Sequence, residues 1–253
     1  MSTHLSYSQI ALYLDCSKRW QAKYRKNLSG TFGEALIFGS TVHAVIEQRI
    51  RDKSRDMLDL WPIAWANALK SPEAAKTIWK ETPEVCAETG ARIFGTYEVQ
   101  ETIDQIKPMV IDNKLAIEYK FEWKLGDGVP DVIGFIDCLG DDVIPWDFKT
   151  ASQMWPQDKA AKEIQPLIYL AALNQLGMTQ HNLVFRHLVI TKAKNPRIEI
   201  FETQRDPAEL LFVEDVVRGV WQDIAEARFK PNPLAMYCNA ECPVYTECAG
   251  KRS

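Results

Sequence analysis

The chain has 253 residues, 46% of them hydrophobic, enough to build a real core in one large domain or two small ones. Thirty basic against thirty-four acidic residues leave a formal net charge of -4, which excludes a global positive field, so any nucleic-acid site has to be a local patch. There is no charged-then-apolar leader and no apolar run of the roughly 18 residues needed to span a bilayer, so a soluble cytoplasmic protein without a membrane partner is expected. In a reducing compartment, six cysteines point to ligation, catalysis or burial rather than to disulfides.

The first predicted element is a helix over 6–26, with Ser6 or Ser8 as its cap. Lys18, Arg19, Lys23, Arg25 and Lys26 crowd its far end, interleaved with Trp20 and Tyr24. Such a run can serve phosphates and bases, or it can be a solvated helix face with its cations at the negative end of the dipole. Residues 39–107 read as a helical subdomain broken at Pro62, Pro72 and Pro83, with Trp61, Trp65, Trp79 and Phe94 as packing anchors. After Pro108 the period changes. "LAIEYKFEWKL" sets Ile117, Tyr119, Phe121 and Trp123 against charged neighbours, as a half-buried strand does.

Strands over 131–139 and 142–149 follow, joined by the turn Gly140-Asp141-Asp142, and the three together predict an antiparallel meander. A helix over 160–176 ending at Gly177 comes next, then strands over 183–191 and 197–202, and a last long helix from Pro207 to about Arg228. The tail from Lys230 shows no periodicity. The expected class is therefore mixed α/β in a single domain over 1–253, with no internal repeat.

Asp137 and Asp147 stand near one another on neighbouring antiparallel strands of this meander. Two such carboxylates suit a hard divalent cation, and Mg²⁺ with one or two protein carboxylates leaves positions for water and phosphate oxygens. Lys149 lies two residues after Asp147 and so on the same face, where its ammonium can stabilise developing charge. Taken alone, Asp147 and Lys149 are explained more simply by a surface ion pair.

Four motifs occur in order: Gly39-x-x-x-His43, Gly134-x-x-Asp137, Asp147-x-Lys149 and Gln165-x-x-x-Tyr169. Each is common, but the ordered series resembles the RecB-like branch of the PD-(D/E)xK nuclease superfamily, with an αβββαβ core of the restriction-endonuclease type. The resemblance implies that His43, Asp137, Asp147 and the backbone carbonyl of Phe148 ligate Mg²⁺ or Mn²⁺ and that Lys149 is the catalytic lysine. By the same resemblance Gln165 and Tyr169 would line the DNA path, and the basic and aromatic run described above offers Lys18, Arg19 and Trp20 as further DNA contacts. Trp146 and Phe148 should face the core. Glu47, one turn beyond His43 on the same face, either supports that histidine or is simply solvated.

The tail reads "YCNAECPVYTEC", placing Cys238, Cys242 and Cys248 at C-x3-C-x5-C spacing, with Cys16 far upstream. Four thiolates fit zinc or an iron-sulfur cluster, and spacing does not separate them. One cysteine before the nuclease motifs and three after is similar to the CRISPR-associated RecB-like nucleases and the AddB nuclease domain, which implies a 4Fe-4S cluster that pairs the 230–250 tail with Cys16. Cys86 and Cys138 are expected to be buried.

No G-x-x-x-x-G-K-[ST] loop is present, so no nucleotide-driven motor is expected. The resemblance implies a DNA exonuclease acting on single strands or free ends in recombination, repair or phage DNA processing, the last in a host cytoplasm. The alternatives are a CRISPR adaptation nuclease working in a complex and a non-cutting DNA-binding subunit of the same fold. Oligomeric rings among relatives leave a homo-oligomer or recombination and CRISPR partner proteins open.

Overall fold

The computed structural model describes residues 4–28, 32–179, 183–239 and 242–249. It opens with α1 (Tyr7–Asp15), capped by the Ser6 side chain accepting from the Gln9 amide, and α2 (Ser17–Tyr24). The single helix expected over 6–26 breaks at Cys16, whose backbone is extended (φ -158°, ψ 105°). The break turns α2 so that Trp20 meets Tyr13 edge-on at 6.0 Å and stacks on Phe229 at 5.8 Å.

The short strand β1 (Phe32–Gly33) leads into α3 (Glu34–Arg51) and α4 (Met57–Ala68). Strand β2 (Thr77–Ile78) pairs with β1, and α5 (Pro83–Phe94) and α6 (Tyr97–Gln105) complete the helical region. Pro83 starts α5 behind a Thr82 cap, as proline at a first helical position should. Pro62, by contrast, does not break α4 but lies inside it. It removes one backbone hydrogen bond, while Trp61 and Trp65 on the same turn hold the helix by packing against Phe38. The fit is close. A Cβ on Gly90 would fall 2.0 Å from the Trp61 ring.

The hairpin β3 (Val110–Ile111) and β4 (Lys114–Leu115) precedes the main sheet. That sheet contains β5 (Ile117–Trp123), β6 (Val132–Leu139), β7 (Pro145–Ala151), β8 (Leu183–Thr191) and β9 (Ile198–Arg205), in spatial order β5-β6-β7-β8-β9. Between β7 and β8 lie α7 (Gln157–Lys162) and α8 (Gln165–Gln175). After β9 come α9 (Pro207–Ala225), entered by an Asp206/Glu209 capping box, and α10 (Tyr245–Ala249). The helix expected over 160–176 is thus two, broken where Glu163 is extended, and the tail expected to be irregular contains α10.

Strands β5, β6 and β7 form the antiparallel meander, and β7 and β8 run parallel through the α7–α8 crossover. On one face α1, α2, α8 and α9 pack on Phe121, Ile136 and Phe185; on the other α3 to α6 pack on Trp146, Phe148, Leu188 and Ile190. The β6–β7 ladder holds at Cys138↔Trp146 and Leu139↔Pro145 only. Beyond it the strands part, and Leu5 takes β7's place beside β6 at Val132. The parting leaves a fork that opens toward the C-terminal end of β7. Among the described residues no helix is long and apolar enough to cross a membrane.

Candidate active site

Inside the fork the Phe148 amide has lost its ladder partner and donates to Asp137 Oδ2 at 2.6 Å. The same oxygen lies 3.3 Å from His43 Nδ1, which α3 delivers from the helical face of the sheet. Asp147 projects from β7 with only 3% of its surface exposed. Lys149 Nζ donates to its Oδ1 at 3.0 Å and lies 2.7 Å from its Oδ2. The alternation of β7 therefore does what spacing predicts: Asp147 and Lys149 share a face, while Trp146 and Phe148 enter the core on the other.

The Asp147–Lys149 pair is held by α8. Because α8 begins afresh after the break at Glu163, Gln165 stands in its first turn, and its amide is fully used. Gln165 Oε1 accepts from Lys149 Nζ at 3.0 Å, and Nε2 donates to Asp147 Oδ1 at 2.7 Å and to Tyr169 Oη at 2.9 Å. Gln165 and Tyr169 are 5% and 7% exposed. Through these bonds they fix the carboxylate and the ammonium from behind.

Burial pushes the Asp147 carboxyl up to about 6, against the opposing pull of the Lys149 charge. Burial also pushes the Tyr169 phenol up, assisted by the Asp147 charge. Burial alone would lower His43, but the Asp137 hydrogen bond and charge outweigh it and leave its imidazole above the usual histidine value. Tyr7, half-buried at the start of α1, is raised to about 12 by burial and by the charges of Glu163 and Asp147. It therefore belongs to the surroundings of the fork, although no motif marks it in the sequence.

Glu118 was equally silent. It adopts φ +51° within β5, where the ladder to β6 skips from Ile117↔Cys138 to Tyr119↔Ile136, leaving it opposite Asp137. Desolvation and the charges of Asp137 and Glu47 hold its carboxyl above the ordinary value. Glu47 itself accepts from Arg51 Nε at 2.9 Å.

The donor set of the fork, two carboxylates and an imidazole, suits Mg²⁺ or Mn²⁺ in its chemistry. With Lys149 drawn onto Asp147, however, no group of three or more His, Cys, Asp or Glu side chains among the described residues is arranged to hold a metal ion. The same statement covers the cysteines. Cys16 is buried at the α1–α2 break, Cys242 is partly exposed, and Cys238 and Cys248 are exposed. Burial and the neighbouring Cys16 and Cys242 sulfurs raise the Cys248 thiol, so these three lie near one another. Cys86 and Cys138 are buried as expected.

On α2 Trp20 turns inward, Arg19 and Lys18 pair with neighbouring side chains, and Lys23 stays exposed over the Tyr24 ring. Trp20 is 4% exposed and stacks on Phe229 in the aromatic cluster. Arg19 pairs with Asp15 at 2.9 Å, and Lys18 donates to Gln21 and lies 3.8 Å from Glu247. These contacts tie the tail to the N-terminal helices, joined by Asn232 Nδ2 donating to the Asp15 carbonyl at 2.8 Å.

A family model described as "PD-(D/E)XK nuclease superfamily" matches residues 4–249 of the chain. Among solved structures, a "Putative exonuclease" from Eubacterium rectale is similar in fold, with a TM-score of 0.59 and 14% identity over 93% of this chain and 87% of that one. SSO0001 aligns over 96% of this chain and 98% of its own with 15% identity and a TM-score of 0.36. No curated protein matches the sequence.

The raised Asp147 pKa fixes a pH dependence of stability. Its folded value of about 6 lies above its ordinary 3.8, so the folded state keeps a proton that the unfolded chain releases. Ionised Asp147 therefore costs nothing below the unfolded value and destabilises the metal-free fold fully above the folded one, by on the order of 1–3 kcal/mol. Thermal melts without divalent ions should show Asp147→Asn more stable than wild type at pH 8, with the gap closing below pH 4. A variant less stable than wild type at pH 8 would contradict the buried charge.

Proposed function

Since the chain belongs to the PD-(D/E)XK nuclease superfamily, we propose that the β6–β7 fork is a divalent-metal-dependent site that hydrolyses phosphodiester bonds in DNA. The observation that carries this reading is the convergence of Asp137, Asp147, His43 and Lys149 on one fork, from two strands and a helix far apart in sequence.

In this reading Asp137, Asp147, His43 and the Phe148 carbonyl hold Mg²⁺ or Mn²⁺. The bound ion would supply Lewis-acid polarisation of the phosphate and acidify a water. To hold the ion, Asp147 would offer it the ionised carboxylate that in this fold contacts Lys149. Lys149 then keeps its hydrogen bond to Gln165 and turns its ammonium to the charge that grows on the scissile phosphate. Gln165 is a positioning residue: its Oε1 holds the lysine and its Nε2 holds Asp147, so the pair enters the reaction without having to be ordered. Tyr169 fixes the Gln165 amide in turn, through its hydroxyl.

We read the substrate as single-stranded DNA or DNA with free ends, a reading supported by the motif resemblance and by the name of the Eubacterium rectale neighbour. We also read Cys16, Cys238, Cys242 and Cys248 as holders of a 4Fe-4S cluster, with zinc as the alternative. Support comes from the resemblance and from the nearness of Cys248 to Cys16 and Cys242. Such a cluster would link the tail to the N-terminal helices rather than take part in hydrolysis.

Lys149→Ala should reduce cutting of end-labelled single-stranded DNA in Mg²⁺ or Mn²⁺ by at least about a hundredfold, and Asp147→Ala by as much, with the fold retained. Wild-type rates in either variant would remove the fork from the reaction. Anaerobically purified protein should be brown and contain iron and acid-labile sulfide, both lost in Cys242→Ala; colourless protein, with zinc or without it, would overturn the cluster.

A further inference from the structure

The turn between β8 and β9 is rich in cations that form no ion pair among the described residues. Lys192, Lys194 and Arg197 lie within six residues, and Arg92 faces the last two from the end of α5. A cleft of about 690 Å³ runs between them, lined by Arg92, Lys194, Asn195 and Arg197 together with Thr96 and a single acid, Glu98. Among the described residues none of the four cations lies within 4.0 Å of a carboxylate. Arg92 donates to the Thr89 hydroxyl, and Lys192 sits 5.6 Å over the Phe38 ring. Elsewhere Arg49, Arg186 and Arg218 are each neutralised by acids. In a chain of net charge -4, a group of unpaired cations around one cleft is a local field of the opposite sign.

Its position follows from the sheet. Lys149, Thr150 and Ala151 run in register with Val189, Ile190 and Thr191, and the Lys192 amide donates to the Ala151 carbonyl at 2.8 Å. The β8–β9 turn therefore projects from the same end of the sheet toward which the fork opens. A backbone bond from Thr191 to the Arg197 carbonyl and one from Arg197 to Thr191 Oγ1, both 2.9 Å, brace the turn. Phe38, beneath Lys192, lies on α3 five residues before His43. Lys192 is thus an intermediate step between the fork and the cleft.

We propose that Lys192 and the cleft of Arg92, Lys194 and Arg197 bind the phosphodiester backbone of the DNA strand whose bond lies in the fork. This rests on the nuclease reading above and adds where the strand runs. Among the described residues that line the cleft none is aromatic, and Lys192 lies over Phe38 alone, so the contact is to phosphates and indifferent to sequence.

The test is binding of a labelled single-stranded oligonucleotide in EDTA, measured by anisotropy across a salt series. Lys194→Glu/Arg197→Glu should bind at least about tenfold more weakly at low salt. Its log–log salt dependence should be shallower by about 1.4, two lost phosphate contacts at roughly 0.7 each. Lys194→Ala/Arg197→Ala should show the same shallower slope with a smaller loss. Lys107→Glu/Lys114→Glu, the same charge change at the opposite end of the sheet, should bind as wild type does. If the turn variants bind like wild type, or the control weakens as much as they do, the inference is overturned while the nuclease reading stands. Wild type that neither binds nor cuts DNA overturns the nuclease reading, and this inference falls with it.

Discussion

Everything in the fork depends on one buried carboxylate, Asp147, kept in place by a lysine two residues away and a glutamine from the crossing helix. An ionised carboxylate at 3% exposure is costly unless it is paired and hydrogen-bonded, and Lys149 and Gln165 supply both. The arrangement is poised rather than relaxed, because the carboxyl still titrates near 6. A site built to accept a divalent cation has this character, with negative charge concentrated beyond what its own ammonium can neutralise.

The fold is organised around that charge. The early end of the β6–β7 ladder frees the Phe148 amide for Asp137, the break at Glu163 restarts α8 with Gln165 in its first turn, and α3 brings His43 across the other face. The large helical region from α3 to α6 packs its tryptophans beneath Trp146 and Phe148, so the strand bearing Asp147 is anchored in a core on the side away from the fork. Rigid support on one side and a hydrogen-bonded clamp on the other hold two reactive groups within about 3 Å of one another.

Much of this was legible in the sequence. The period-two alternation located β5, and the ordered Gly, His, Asp and Lys motifs pointed to the side chains that meet in the fork. What the sequence hid were effects of tertiary packing. The break at Cys16 carries no glycine or proline and Pro62 stays within α4 because its neighbouring tryptophans are buried, whereas Pro166 in the first turn of α8 was a legible cause of the break at Glu163. The inward turn of Trp20 depends on Phe229, more than two hundred residues later, and the clamp that Gln165 makes on Asp147 and Lys149 depends on the burial of α8 along much of its length. Tyr7 and Glu118 reach the fork through chain geometry alone.

The central claim is that Asp137 and Asp147 form one cation site and that Lys149 stands beside it without being a ligand. Calorimetric titration of Mn²⁺ into metal-free protein tests this most directly. The account predicts binding by wild type, binding retained in Lys149→Ala, and binding lost in both Asp137→Asn and Asp147→Asn. Mn²⁺ binding to Asp147→Asn with wild-type affinity would contradict it.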